Sequence, residues 1–278
     1  MIIDGKKIAK EMYEKIKDEI LITGKKLRLQ AILVGNNSSS LRYISQKRKW
    51  AEYVGIDFKL EHLDESITEE ALLGKIEEYN KDSNTTGILV QLPLPSHIDT
   101  KKVINLINPK KDVDGFHSEN QGKILLGDDT GLFPCTPAGV MEIFNYLGLD
   151  LTGKLVTVIG RSNIVGKPLV AMLINSGATT ICCNSKTKKI EEFTKISDIV
   201  ICAAGSPGLL TLDMINSKTV VIDVGFTVVN DKIYGDVKFD EINNNGNMIT
   251  PVPGGVGALT VANLMSNILK ADRIQNEK

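Results

Sequence analysis

Several residues in the first half of the chain are of types that transfer protons or bind polar ligands in enzymes. Tyr43 and Lys47 stand four residues apart in SLRYISQKRKWAEYVG, where helical periodicity puts both on one face. By itself such a pair is more often a solvated surface pair. Gln91 closes the run GILVQ, because the prolines of LPLP end the strand there. Asp112 and Asp114 occupy a DVDG turn, a pattern also typical of a ligand-free Asx turn, and the remainder of a calcium loop is missing.

A glycine-bracketed turn in the second half indicates a nucleotide site. Gly160 and Gly166 enclose the turn between LVTVI and the helical segment that follows, where helix amides hold a pyrophosphate. The spacing is not GxGxxG, so a plain tight turn explains it equally well. The next strand, TTICC, ends in NSKTK and lacks the acidic residue that binds the NAD ribose. Ser185 and Lys186, with Arg161 in the first turn, suit a 2′-phosphate, so NADP is the predicted cofactor.

The elements that must position these residues alternate along the chain. β-branched runs such as RLQAILVG, TGILVQL, KLVTVIG and TVVIDVG are separated by segments with helical periodicity. This alternation predicts an α/β fold with parallel sheets and helices on both faces. A Gly- and Asp-rich stretch separates the two sets of strands and predicts two domains, at 1–118 and 119–259. A helix is predicted to start near the end of this Gly- and Asp-rich stretch, with Thr136 as N-cap and Pro137 at the first helical position.

Composition excludes several classes of protein. The 278 residues are enough for two domains, and a formal net charge of −1 argues against binding nucleic acid. Four cysteines without a CxxC pattern and three scattered histidines predict neither a disulfide framework nor a metal site. No signal peptide and no run of membrane-spanning length is visible, so a cytoplasmic protein without membrane partners is expected.

The Tyr-x-x-x-Lys spacing also occurs as the catalytic pair of short-chain dehydrogenases. In that family the pair follows the nucleotide-binding glycines within one domain. Here it precedes them by more than a hundred residues. The pair therefore does not indicate that family.

Taken together, the motifs resemble a specific enzyme family along nearly the whole chain. The matching segments are YISQKRKWAEYVGI, GILVQLPLP, KDVDGFH, PCTPAGV, GRSNIVGKPL, NSKT, DVGF, GDVKFDE and TPVPGGVG. In this order they are similar to the bifunctional methylenetetrahydrofolate dehydrogenase/methenyltetrahydrofolate cyclohydrolase family, often called FolD. The resemblance implies oxidation of 5,10-methylenetetrahydrofolate with NADP⁺ and hydrolysis of the methenyl product to 10-formyltetrahydrofolate. It also implies a role in one-carbon metabolism and purine biosynthesis, and a homodimer.

The resemblance assigns catalytic roles to four residues. Lys47 matches the lysine that handles the protons of water addition and ring opening. Tyr43 matches a tyrosine whose ring lies against the folate, and Gln91 matches a glutamine that bonds the lysine. Asp114 matches the carboxylate that pairs with the amino-pyrimidine edge of the pterin, a planar partner suited to two oxygens. Asp112 is expected to be structural.

Binding residues follow from the same resemblance. The loop TPVPGGVG is similar to the family loop beside which folate and nicotinamide meet, where bare glycine backbone lets two flat rings approach. Hydride transfer itself needs positioning and no acid or base from the protein. The implied substrate-binding residues are Tyr43, Gln91, Leu92, Pro93, Asp114, Pro253, Gly254 and Gly255. The implied NADP-binding residues are Gly160, Arg161, Ser162, Val165, Gly166, Ser185, Lys186, Thr187, Gly225, Gly257 and Thr260, and no metal ligand is implied. The last helix, 260–278, is expected to pack back on the first domain.

Three positions depart from the family pattern, and all lie in the cofactor half. Asn184 stands where histidine is frequent, Ala258 where proline is frequent, and Phe226-Thr227 where Ile-Asn is frequent. They motivate one alternative, a cyclohydrolase with weak or absent dehydrogenase activity. A second alternative, a non-catalytic folate-binding protein, rests on the rule that fold does not fix function.

Overall fold

The computed structural model describes residues 1–230 and 232–276, and contacts divide the chain into two compact units. The first unit comprises Glu11–Cys135 and the chain from Val261 onward. The second unit comprises Thr136–Thr260 and Met1–Lys10. Each unit has its own parallel sheet with helices along the chain between the strands, so the predicted α/β, two-domain fold class is confirmed.

The helices occupy the segments with helical periodicity. They are α1 (Gly5–Thr23), α2 (Ser38–Val54), α3 (Glu69–Lys81), α4 (Thr100–Leu106), α5 (Ser118–Leu126), α6 (Cys135–Leu147), α7 (Gly166–Asn175), α8 (Ile190–Thr194), α9 (Phe239–Asn244) and α10 (Val256–Asn276). The strands occupy the short β-branched runs and three further segments. They are β1 (Arg28–Val34), β2 (Asp57–Leu63), β3 (Gly87–Val90), β4 (Leu155–Ile159), β5 (Thr179–Cys183), β6 (Ile199–Cys202), β7 (Val220–Asp223), β8 (Thr227–Val229) and β9 (Lys232–Tyr234).

The sheet of the first unit has the order β2-β1-β3, with all pairs parallel. β1 is central and almost fully buried, as expected for a parallel strand covered on both faces. The core on one side joins Ile32 and Ile88 of the sheet to Leu72 and Ile76 of α3. Because β1 and β3 run in the same direction, their carboxyl ends lie at one edge of the sheet, where ligands bind in such folds.

The sheet of the second unit has the order β5-β4-β6-β7, also all parallel. Its core contains Ile159, Val200, Val221 and Ile249, with relative exposures of 2% or less. β8 and β9 form a separate antiparallel pair. The turns after β4, β5, β6 and β7 therefore share the carboxyl edge of one sheet.

The predicted boundary between residues 118 and 119 stays a prediction about functional domains. By contacts, residues 119–135 belong to the first unit, where the Asn120 side chain donates a hydrogen bond to the buried Asp112 carboxylate. The end of α10 also belongs there, since Gln275 donates to the carbonyl of Thr86.

Two predicted helix starts are wrong, by two and about four residues. α6 begins at Cys135, before the predicted cap, and the Thr136 hydroxyl lies 3.0 Å from that of Thr260. α10 begins at Val256 and not near residue 260. In both cases the chain enters the helix directly from a loop that contains proline or glycine, and Thr136 lies inside α6 and not at its cap.

Candidate active site

Lys47 is a buried lysine on the packed face of α2. The inward residues of this helix are Ser40, Ile44, Lys47, Ala51 and Val54, and Lys47 is 8% exposed. Lysine is rarely so buried unless its charge has partners, because an unpaired ammonium loses its hydration on burial. The alternative interpretation of Tyr43 and Lys47 as a solvated surface pair is therefore excluded for Lys47.

Gln91 supplies one of those partners. The backbone amide of Gln91 donates to the carbonyl of Ile32, which fixes the residue immediately after β3. Its side-chain nitrogen donates to the carbonyl of Leu92 at 2.8 Å, and its Oε1 accepts from Lys47 Nζ at 3.1 Å. Since the amide nitrogen is already used, the oxygen is the atom turned to the lysine.

Asp114 supplies the second partner. Its Oδ1 lies 3.9 Å from Lys47 Nζ, close enough for an ion pair but too long for a good hydrogen bond. Burial raises the pKa of Asp114, and the nearby Lys47 charge opposes the rise. Gly115 follows with a φ of 74°, and a Cβ there would come within 2.3 Å of the Phe133 backbone. The DVDG turn thus needs its glycine to hold Asp114 beside the lysine.

The residues just before Asp114 anchor this turn. Lys111 donates to the carbonyls of Tyr79, Asn80 and Asp82 at the end of α3. Asp112 is 1% exposed, and its carboxylate accepts from the His117 backbone amide and from Asn120. Asp112 has a supporting role in this arrangement, since its bonds are to the chain on either side of the turn.

The buried Asp112 carboxyl gives a pH-dependent stability. Burial raises its pKa to about 6, from an ordinary 3.8. Folding favours the protonated form, so this contribution is fully present below about pH 4 and is lost as the pH rises through about 6. The shift is worth about 3 kcal/mol. We expect the difference in unfolding free energy between wild type and Asp112→Asn to fall by up to about that amount between roughly pH 4 and 7.

Urea denaturation at several pH values measures this difference. The exposed Asp18 offers a matched control, since Asp18→Asn removes a carboxylate from the same unit without removing a buried one. A difference between wild type and Asp112→Asn that stays constant with pH would contradict the assignment.

Three further residues predicted for the substrate lie in the first unit, close along the chain to Lys47 or Gln91. Tyr43 is half-buried one helical turn before Lys47, and burial raises its pKa to about 12, so it remains a neutral phenol. Leu92 and Pro93 follow Gln91 directly, and Leu92 is half-buried while Pro93 is exposed. Their contact with a substrate stays a prediction.

Two supporting residues escaped the sequence-based prediction. Asn267 in α10 is 8% exposed, and its side chain donates to the carbonyls of Val113 and Phe133, each at 2.8 Å. The Cys135 thiol donates to the same Val113 carbonyl at 3.3 Å. Val113 is the neighbour of Asp114, so both side chains fix the position of the carboxylate. Asparagine within the largely apolar VANLMSNIL was the available signal.

The turn after β4 has the compact form that a pyrophosphate site requires. Gly160 has a φ of 134°, and a Cβ there would lie 2.2 Å from the carbonyl of Ala203. A Cβ on Gly166 would lie 2.1 Å from the carbonyl of Gly160. Ser162 Oγ accepts from the amides of Val165 and Gly166 as α7 begins. The glycines are thus required by the close backbone approach and not by the turn alone.

The turn after β5 presents cations and a hydroxyl to solvent. The Asn184 side chain accepts from the amide of Lys186, and the Asn184 amide donates to the Thr187 hydroxyl, so the turn is pre-formed. Ser185 and Lys186 are exposed beside it. Burial raises the pKa of the Cys182 thiol, and the nearby Arg161 charge opposes part of that rise. These groups fit a phosphate ester at the end of β5.

The remaining predicted cofactor residues lie elsewhere in the second unit. Gly225 follows β7, and a Cβ there would meet the Asp236 carboxyl carbon at 2.3 Å. Gly257 and Thr260 lie in the first turns of α10. A Cβ on Gly257 would meet nothing within 4 Å, so packing does not explain that glycine. The roles of these three residues stay predictions.

The backbone of the TPVPGGVG loop packs closely against other backbone of the same chain. Gly254 has a φ of 111° and accepts at its carbonyl from the amide of Lys6. A Cβ on Gly255 would lie 2.6 Å from the carbonyl of Pro251, and one on Gly5 would lie 2.2 Å from the carbonyl of Gly255. The glycines thus permit contacts within the second unit. Substrate binding by Pro253, Gly254 and Gly255 stays a prediction.

Other kinds of site are not evident in residues 1–230 and 232–276. There, no three His, Cys, Asp or Glu side chains group closely enough to hold a metal ion. Within the same ranges, no helix has the length and apolar character needed to cross a membrane. The four cysteines are free thiols, with Cys182 exposed and the others buried.

Comparison with protein families gives two adjacent matches. Residues 3–114 match the catalytic domain of tetrahydrofolate dehydrogenase/cyclohydrolase, and residues 134–276 match the NAD(P)-binding domain of the same family. The first match contains Lys47, Gln91 and Asp114, and the second contains the turns after β4 and β5.

Individual relatives extend over nearly the whole chain. The bifunctional protein FolD of Bacillus pumilus is 48% identical over 274 residues, covering 97% of this chain and 96% of that protein. The crystal structure of the bifunctional FolD of Campylobacter jejuni is 42% identical, with a TM-score of 0.96 and coverage of 100% and 99%. A structure of the Trypanosoma brucei enzyme, complexed with NADP cofactor and inhibitor, is 34% identical, with a TM-score of 0.95 and coverage of 100% and 99%.

Proposed function

Because this chain belongs to the tetrahydrofolate dehydrogenase/cyclohydrolase family, we propose that it oxidises 5,10-methylenetetrahydrofolate with NADP⁺ and hydrolyses the resulting methenyl compound to 10-formyltetrahydrofolate. The observation that carries the proposal is the buried Lys47, bonded to Gln91 at 3.1 Å and facing Asp114 at 3.9 Å. A polar cluster of this kind is costly to bury and is not needed for packing, which supports a chemical role.

Hydrolysis requires a group that moves protons. Water adds to the methenyl carbon and loses one proton, which leaves a hydroxyl. The hydroxyl then loses its proton as the carbonyl forms, the bond from that carbon to N5 breaks, and N5 takes up a proton, so that one proton is released overall. We assign these transfers to Lys47, whose nitrogen is held in place by Gln91. Burial of the cluster keeps bulk water from competing with the positioned ammonium.

Substrate binding is assigned to the surroundings of the same cluster. The Asp114 carboxylate pairs with the amino-pyrimidine edge of the pterin through two oxygens. The half-buried ring of Tyr43 lies against the folate, with Leu92 and Pro93 beside it. Pro253, Gly254 and Gly255, in the second unit, are proposed as substrate residues on the family resemblance alone.

NADP binding is assigned to the second unit, where the glycine turn and the cationic turn fit the cofactor. Gly160, Ser162, Val165 and Gly166 shape the start of α7 for the pyrophosphate. Arg161, Ser185, Lys186 and Thr187 receive the 2′-phosphate, while Gly225, Gly257 and Thr260 line the rest of the cofactor. When bound, the nicotinamide supplies the chemistry by accepting a hydride from the methylene carbon.

The cellular setting is proposed on the family alone. We propose that the protein acts in the cytoplasm as a homodimer, in one-carbon metabolism and purine biosynthesis. Sedimentation of the purified chain tests the dimer, and a single species with the mass of one chain would rule it out.

A paired assay on one purified sample tests the function. We expect oxidation of methylenetetrahydrofolate with NADP⁺, slower oxidation with NAD⁺, and hydrolysis of methenyltetrahydrofolate. Hydrolysis without oxidation by either nucleotide would instead show a cyclohydrolase on a dehydrogenase scaffold. Folate binding with neither activity would leave a non-catalytic binding protein.

A further inference from the structure

The loop after β6 is exposed, yet its backbone amides point inward to one buried carboxylate. Asp236 is 0% exposed. Its Oδ2 accepts from the amides of Ala204 at 2.7 Å and Gly205 at 3.0 Å, and its Oδ1 accepts from Ser206 at 2.7 Å. Three successive amides bound to one carboxylate fix the shape of the loop 204–206, since each bond is charge-assisted.

A second carboxylate holds the first. Asp223, the last residue of β7, is 3% exposed. Its Oδ1 accepts from the amides of Gly225 and Asp236, and its Oδ2 accepts from Val237. Asp223 thus ties the backbone around Asp236 to the end of β7. The loop after β6 is connected through Asp236 and Asp223 to the neighbouring strand.

Glycines make this approach of carboxylates and backbone possible. A Cβ on Gly225 would lie 2.3 Å from the Asp236 carboxyl carbon, and one on Gly235 would lie 2.0 Å from Asp223 Oδ2. The sequence motifs DVGF and GDVKFDE are therefore two sides of one packing arrangement. The hydrogen bonds that the two carboxylates accept here all come from backbone amides.

The order of the strands places this arrangement relative to the cofactor. The sheet order is β5-β4-β6-β7, the pyrophosphate turn follows β4, and the 2′-phosphate turn follows β5. The other half of the dinucleotide must then extend toward the ends of β6 and β7. The first residue of the loop after β6 also packs against the turn after β4, since a Cβ on Gly160 would lie 2.2 Å from the carbonyl of Ala203.

We propose that Asp236 is a positioning residue for hydride transfer: by binding the amides of Ala204, Gly205 and Ser206, it fixes the loop on which the nicotinamide half of NADP rests. This inference depends on the proposed dehydrogenase function. Asp236 acts through the loop and does not touch the reacting atoms.

Asp236→Asn tests the proposal with little change of shape. Its amide keeps one acceptor oxygen, and its NH₂ group faces amides that also donate. We expect faster hydrogen exchange in residues 203–206 of the cofactor-free protein and a fall in oxidation of about 10- to 100-fold. Hydrolysis at Lys47, in the first unit, is expected to stay at the wild-type rate. The matched control is Asp240→Asn, an exposed aspartate four residues along the chain.

Two outcomes would overturn the proposal. One is faster exchange in the loop with oxidation equal to that of Asp240→Asn, since the loop shape would then be irrelevant. The other is a parallel loss of oxidation and hydrolysis, which would show a general structural role. If wild type itself fails to oxidise the substrate, the proposed function fails, which is a separate result.

A measurement on wild type keeps the proposal testable even if Asp236→Asn does not fold. NADP⁺ is expected to slow hydrogen exchange in residues 203–206 as well as in 160–166. Slower exchange confined to 160–166 would show that the cofactor does not rest on the loop, and the proposal would be wrong.

Discussion

Replacing Lys47 by methionine is expected to lower the rate of methenyltetrahydrofolate hydrolysis by about 10²- to 10⁴-fold, the range for removing a general acid–base group. Methionine has a similar length and fits a buried position, but it cannot carry a proton. Oxidation with NADP⁺ is expected to remain measurable, because hydride transfer needs no proton carrier. Both rates are measured spectrophotometrically on the same sample.

The control for this variant is Lys49→Met on the same helix. Lys49 is exposed, with its ammonium 5.2 Å from the centre of the Trp50 ring, and it faces away from the buried cluster. Lys49→Met therefore removes one positive charge from α2 without changing a contact of Gln91 or Asp114. Hydrolysis that persists in Lys47→Met, or falls equally in both variants, would show that Lys47 is not the proton carrier.

The sequence was informative where one local pattern decides the outcome. The strands β1, β4, β6 and β7 are short runs rich in Val, Ile and Leu, and their burial explains that composition. By contrast, β2 reads DFKLEHL and is half-exposed at the edge of its sheet, so it has no continuous apolar run. The β8–β9 pair is three residues per strand and was not predicted either.

The residues of the candidate site also fall into those that a local motif predicted and those that it could not predict. Lys47, Gln91 and Asp114 were chosen by motif, and the structure brings them together because α2, β3 and the DVDG turn meet at one sheet edge. Asn267 was missed because its partners lie more than 130 residues earlier. Asp236 was missed as a functional residue for a similar reason: its partners 204–206 are joined to it only by the fold. Spacing along a chain cannot reveal such contacts.

Gly160→Ala is the other variant with a large expected effect. The residue has a φ of 134°, where L residues are strained, and the new Cβ would lie 2.2 Å from the Ala203 carbonyl. Relief requires the turn after β4 to move by about 1 Å, a displacement that costs on the order of 100-fold in rate when it affects positioning. We expect NADP⁺-dependent oxidation to fall by at least about that factor, with weaker NADP⁺ binding by calorimetry.

Gly153→Ala separates this collision from backbone strain. Gly153 also has a positive φ, of 71°, and lies in the same unit, but nothing is within 4 Å of its new Cβ. Gly153→Ala also places an L residue at a positive φ, although a less strained one, and it lacks the displacement of the turn. Hydrolysis provides the internal reference, since Lys47 and its partners lie in the first unit. If Gly160→Ala binds NADP⁺ and oxidises substrate as Gly153→Ala does, the turn after β4 is not the pyrophosphate site, and the assignment of the cofactor to the second unit loses its main structural support.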